Sequence, residues 1–156
     1  MSVTTIPSNP AWVQLRPWRN RNPGDLRTLA HGEMWDGQTG IDAGAGGPFC
    51  IFADRVHGWR ALAKLLLAYQ RLDGCKTLQE LCTRFAPQTE NNTPAYIRTV
   101  SMHAGVTPTN ALDLRTAPSD VLEDICLGIA IAEGGSRIDW PSDELCAGVG
   151  LALQGT

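Results

Sequence analysis

Ser119-Asp-Val-Leu-Glu-Asp-Ile-Cys-Leu-Gly-Ile-Ala-Ile-Ala-Glu133-Gly134-Gly135 is the stretch whose reading decides the fold. Val121, Leu122, Ile125, Cys126, Ile129 and Ala132 recur at helical spacing and nearly surround the helix with apolar surface. A helix from about Pro118 or Ser119 to Ala132, apolar on almost every side, belongs at the centre of a core. The glycine pair then stops it.

Other helices are expected around it. Val56, Trp59, Leu62, Leu66 and Tyr69 predict a helix over 55–73, ended by Gly74. Thr77-x-x-Glu80 reads as a capping box, in which each side chain satisfies a backbone donor at the helix start. Leu78, Leu81, Cys82 and Phe85 form the buried stripe behind it, and Pro87 ends it. Thr93 is the expected N-cap of a third helix, with Pro94 at its first position. That helix turns Tyr96, Ile97 and Val100 inward and terminates at Gly105. Leu112 and Leu114 anchor a loop over 106–116, and Pro141-Ser142 opens a last helix reaching about Leu153.

Residues 19–53 differ in kind. Glycines punctuate them, and short apolar pieces such as Phe49–Phe52 predict a small β-hairpin or ordered loops. Residues 1–18 form an arm in which Pro7, Pro10 and Pro17 exclude a long helix, while Trp12, Val13, Leu15 and Trp18 pack on the body. The predicted class is mainly α (α+β), with five helices and a small N-terminal loop or hairpin region. Residues 19–156 form a single domain behind the arm.

The 156 residues include 43% apolar and 19% charged residues, enough for a folded core. A formal charge of −3 gives no general attraction to nucleic acid or anionic lipid. Met1 to Pro10 has neither a basic start nor an apolar run, so synthesis as a cytosolic product without a signal peptide is expected. Ile125 to Ala132 is too short to insert across a bilayer. Five cysteines without a secretory signal argue against a disulfide framework; Cys126 and Cys146 read as small core residues. Neither the cysteines nor the three histidines have metal-ligand spacing, and no cofactor motif is present.

Three constellations could carry chemistry. Glu133 ends the most buried helix, where apolar neighbours and the negative end of the helix dipole both disfavour the carboxylate. A carboxyl kept protonated near neutral pH is what a glycosidase needs to protonate a leaving oxygen, the pattern familiar from lysozyme. The plainer alternative is a solvated helix-end residue. Glu90-Asn91-Asn92-Thr93 could line a cleft, or be simple cap chemistry. Arg19-Asn20-Arg21-Asn22-Pro23-Gly24-Asp25-Leu26-Arg27, followed by Trp35-Asp36-Gly37, could form a sugar-binding wall. In it Asn20 and Asn22 offer donors and acceptors, and Trp35 offers a stacking face; the alternative is a structural loop. Glu33, Asp36 and Asp42 are the acidic neighbours that could supply a second carboxylate. A Cys–His amidase using Cys50 with His57 or His103 is a further reading, although Cys50 lies in an apolar run.

The order Arg-Asn-x-Asn-Pro-Gly-Asp-Leu-Arg (19–27), Trp35-x-Gly37, Phe49-x-x-Phe52, Gly58-x-Arg60-Ala61 and Ala86-Pro87-x-x-Glu90-Asn91-x-Thr93-x-x-Tyr96 resembles a group of bacteriophage virion and prophage proteins. These are described as structural proteins of lysozyme-like, peptidoglycan-degrading character. The resemblance covers about residues 19–105. It departs at Asp25, where asparagine is usual, and at Phe85, where tryptophan is expected. A wider similarity to bacterial glucosaminidases and lytic transglycosylases implies a lysozyme-like fold. Their glutamate-bearing helix precedes the loop, whereas here the corresponding helix ends at Glu133, which implies circular permutation.

The resemblance implies cleavage of the peptidoglycan glycan strand with Glu133, or else Glu90, as general acid. Asn20, Asn22, Trp35, Phe52, Asn91 and Tyr96 would hold sugar. Peptidoglycan and other virion or secretion-apparatus proteins would be partners, after delivery to the cell wall. The alternative it allows is a non-catalytic virion component or wall-binding module.

Overall fold

The computed structural model describes residues 10–155. Within them the chain forms six α-helices and one two-stranded antiparallel sheet, an α+β arrangement dominated by helix. In order these are α1 (Arg16–Arg19), β1 (Gln38–Asp42), β2 (Phe49–Phe52), α2 (Arg55–Asp73), α3 (Leu78–Phe85), α4 (Thr93–Ala104), α5 (Ser119–Gly134) and α6 (Ser142–Gln154). Five of the helices lie where apolar spacing and the start and stop residues predict them, and α1 is an added turn beginning at Arg16-Pro17.

Helix α5 occupies the centre. It packs against α1, α2, α4 and α6, and it buries Leu122, Ile125, Cys126, Ile129 and Ala130. Trp59, Leu62, Leu66 and Leu67 of α2 complete the core from the other side. Each large side chain so enclosed contributes about 1.5–3 kcal/mol.

The capping chemistry differs from the expected by small shifts. Thr77 Oγ1 accepts the Glu80 N–H, but Glu80 reaches back to the N–H of Lys76, 2.7 Å away, rather than to that of Thr77. The cap of α4 is Asn92, whose Oδ1 accepts from the Ala95 N–H; Thr93 lies inside the helix and its hydroxyl donates to the Ala86 carbonyl at 2.6 Å. Asp54 caps α2 by accepting from the His57 N–H. Cys146, expected in the core, is exposed on α6, while Cys126 is fully enclosed.

Within the predicted arm, residues 1–9 lie outside the described residues. The remainder docks through aromatic rings. Trp12 meets Trp18 edge-on at 4.9 Å, and Trp18 meets Trp140 at 5.3 Å. Trp140 in turn meets Trp59 of α2 at 5.3 Å. Arg55 caps this stack, with its guanidinium 4.2 Å from the Trp18 ring centre and a forked ion pair to Glu144 of α6.

Residues 20–27 lie directly on the start of α2. A side chain at Gly58 would bring its Cβ to 2.1 Å from the Arg21 carbonyl oxygen, so only glycine lets helix and loop meet. The loop is then sewn to the sheet by Asn22. Its amide donates to the carbonyls of Leu26 and Cys50 at 3.0 and 2.9 Å, and its oxygen accepts the Leu26 N–H at 2.8 Å.

Candidate functional site

A cleft of about 480 Å³ opens between two walls. One wall comes from the 24–29 loop with Arg16, Trp35, Gly46 and Phe49. The other comes from Leu65 and Tyr69 of α2, from Arg84 and Phe85 at the end of α3, and from Pro87, Glu90 and Asn91 in the loop that follows. Glu133, at the end of α5, lines the same cleft. Its size suits a small ligand or a segment of a polymer.

Glu133 is the next-to-last residue of α5, and α1 packs against that helix. Pro17 lies against Gly134, and Arg16 lines the cleft together with Glu133. The Tyr96 hydroxyl donates to Glu133 Oε1 at 2.9 Å. Burial, the largest cause, pushes the Glu133 carboxyl up to about 7; the negative charge of Asp25 adds to this, while the Tyr96 hydrogen bond and the charges of Arg16 and Arg27 oppose it. Tyr96 is itself buried, and enclosure beside Glu133 raises its hydroxyl well above the ordinary range, so it remains a donor.

Asp25 belongs to this site, although its sequence position shows only a loop acid. Three contacts tie it to Arg16: Oδ1 accepts from Nε at 2.9 Å, and Oδ2 accepts from Nε at 3.2 Å and from Nη2 at 2.6 Å. Arg16 also donates to the Ala45 carbonyl, and its guanidinium carbon lies over Phe49, 3.7 Å from the ring centre. Asp25 has a positive φ of 50°. Asparagine and aspartate tolerate that backbone best among residues with a side chain, which explains why either suits this position.

The other predicted site residues divide sharply. Trp35, Glu90 and Asn91 join Glu133 in the lining. Asn22 does not: both its amide hydrogens are spent on backbone carbonyls, its oxygen accepts the Leu26 N–H, and at 0% exposure nothing of it is open to a sugar. Asn20 is buried with its amide on Asp42 Oδ2 at 2.9 Å. Phe52 is 0% exposed and part of the core. These three are corrections to the expected sugar-binding set. Tyr96 stands behind Glu133 rather than on the cleft surface, where it positions the carboxyl.

None of the three expected second carboxylates lines the cleft. Hydrogen bonds, first from Asn20 and then from the Gly44 N–H and Arg19, hold Asp42 down at about 2. Asp36 pairs with Arg60 on the surface, and Glu33 is exposed. The cysteine reading fails on enclosure. Cys50 is 0% exposed and burial pushes its thiol up to about 11, while His57 pairs with Asp54 and His103 is exposed on α4. Among the described residues no cluster of His, Cys, Asp or Glu could hold a metal ion, and no helix is long and apolar enough to cross a membrane.

No protein-family model matches the chain. Over 105 residues it is 31% identical to Protein P5 of Pseudoalteromonas phage PM2, an alignment covering 67% of this chain and 64% of P5. The chain is thus similar to a phage protein and spans less than two thirds of that relative's length.

Proposed function

We propose that this chain is a phage-particle component that binds the glycan strand of peptidoglycan in its cleft and cleaves it, with Glu133 as the general acid. The observation that carries this reading is Glu133 itself, half-buried in a cleft wall, held by Tyr96 and kept largely protonated up to about pH 7. Protonating a glycosidic oxygen needs such a group within the substrate site. Trp35 supplies an aromatic face, and Asn91 an amide for hydroxyl and N-acetyl groups. A lysozyme-like, permuted relation to glucosaminidases and lytic transglycosylases belongs to the same proposal, as does delivery to the wall by a particle.

A second reading is a non-catalytic virion component or wall-binding module. The similarity to Protein P5 speaks more directly for it than for turnover, because that similarity extends to a phage protein and not to a chemistry.

One experiment separates the two. Purified peptidoglycan is incubated with the wild type, Glu133→Gln and Glu90→Gln, and soluble fragments are identified by mass. The proposal expects glycan fragments with new reducing ends or anhydro-sugars, reduced about 10²–10⁴-fold in Glu133→Gln and retained in Glu90→Gln. Sedimentation of the protein with the wall but no products supports the second reading. Loss of products only in Glu90→Gln would transfer the acid role to Glu90.

A further inference from the structure

Three guanidinium groups line the cleft, and they are not equivalent. Arg16 is committed to Asp25, the Ala45 carbonyl and the face of Phe49. Arg84 donates to Asp73 and lies over the Tyr69 ring. Arg27 is the exception. The one partner of its guanidinium among the described residues is Glu90, reached through a single nitrogen, Nη1, at 3.3 Å from each carboxylate oxygen. Both side chains are about half exposed. The remaining N–H groups of Arg27 make no hydrogen bond among those residues, so the fork that matches a carboxylate is unused.

The pair joins loops 63 residues apart, one from each wall. As an exposed single-nitrogen contact it adds little to the fold. It does place a poorly satisfied cation on the cleft wall, close enough to Glu133 for its charge to act there. A neutral sugar can take only ordinary hydrogen bonds from that cation, whereas a carboxylate matches both its charge and its fork.

We propose that Arg27 is the specificity residue of the cleft, recognising an acidic substituent on the glycan, and that Glu90 is the carboxylate which this substituent displaces. The inference rests on the glycan-binding reading above and narrows it to acid-bearing sugars. The recognised group is a carboxylate, either the lactyl group of the sugar or an acidic residue of the attached stem peptide.

The test measures binding by NMR titration in Glu133→Gln protein, so that turnover does not enter. The probes are the N-acetylglucosaminyl–N-acetylmuramic acid disaccharide, the same disaccharide carrying an acidic dipeptide, and neutral chitobiose. An acid-bearing probe is expected to bind about tenfold tighter than chitobiose. Arg27→Gln then abolishes that preference, read as the ratio of acid-bearing to chitobiose affinity in the same variant, and Glu90→Gln enlarges it. Preference for the peptide-bearing form alone supports the proposal with the stem peptide as the source. Equal affinity for all three probes, or a preference that survives Arg27→Gln, overturns the proposal while leaving glycan binding intact. Failure of every probe to bind overturns the glycan reading together with it.

Discussion

Replacing Glu133 by glutamine should make the protein more stable above neutral pH, by an amount the site itself sets. In the folded chain burial holds this carboxyl protonated up to about pH 7, against an ordinary value of 4.5. Between those values the folded state retains a proton that the unfolded state has released. Its stabilising effect is therefore complete below about pH 4.5 and is lost as pH rises through about 7. The interval of 7 − 4.5, or 2.5, at about 1.4 kcal/mol per pH unit, corresponds to a loss of up to about 3 kcal/mol. Glutamine keeps the shape, still accepts the Tyr96 hydroxyl and never ionises. Urea unfolding of both proteins at pH 4, 6 and 8 is the assay. The midpoints should nearly coincide at pH 4 and separate progressively, with the variant about 3 kcal/mol more stable at pH 8 and the denaturant slope unchanged. A stability difference that stays flat across this range would refute the claim that Glu133 ionises against its surroundings. A stabilised, inactive variant would also be the usual mark of a site selected for chemistry rather than for folding.

Two further predictions concern the frame that holds the cleft. Asn22→Ala removes three hydrogen bonds to buried backbone and should cost about 3 kcal/mol in urea unfolding; a loss below about 1 kcal/mol accompanied by weaker glycan binding would return Asn22 to the ligand. Gly148→Ala would place a methyl group 2.5 Å from Trp59 Cβ and 2.6 Å from the Val56 carbonyl oxygen, where α6 crosses α2. It should cost about 1–3 kcal/mol and lower the melting midpoint by roughly 3–10 °C; an unchanged midpoint would contradict that close approach.

The helices were legible because their signals are local. Apolar residues three and four apart marked α2 and α5, and stop residues such as Gly74 and Pro87 bounded the helices they follow. The cap of α4 was misread by one residue because Asn92 and Thr93 are both good caps, and only the backbone decides between them. Asn20 and Asn22 were misread for a related reason. An amide that can grip a sugar can equally grip a carbonyl, and which it meets depends on the β2 strand arriving beside it. Asp25 was visible only as a loop acid, since its partner Arg16 lies nine residues earlier in an arm whose apolar side chains show that it packs on the body but not where its charges go. Glu133 could be singled out because its cues were local too: an apolar helix, its end and two glycines. That it shares a cleft with Trp35 and Glu90 depends on long-range packing, which no spacing rule encodes.

The tryptophans carry a practical consequence. Trp12, Trp18, Trp140 and Trp59 form one continuous run of ring contacts, whereas Trp35 lies apart from it in the cleft wall. At ring separations near 5 Å, excitation passes between neighbours, so the four behave optically as a single coupled chromophore. Trp35 has no such ring contact among the described residues and is the tryptophan a ligand in the cleft would meet. Near-ultraviolet circular dichroism, dominated by the coupled run, then reports whether the N-terminal segment remains docked. Steady-state emission lost on adding a ligand, with that dichroism unchanged, reports occupancy at Trp35. The native protein thus contains two separate optical probes, one for its assembly and one for its cleft, without any added label.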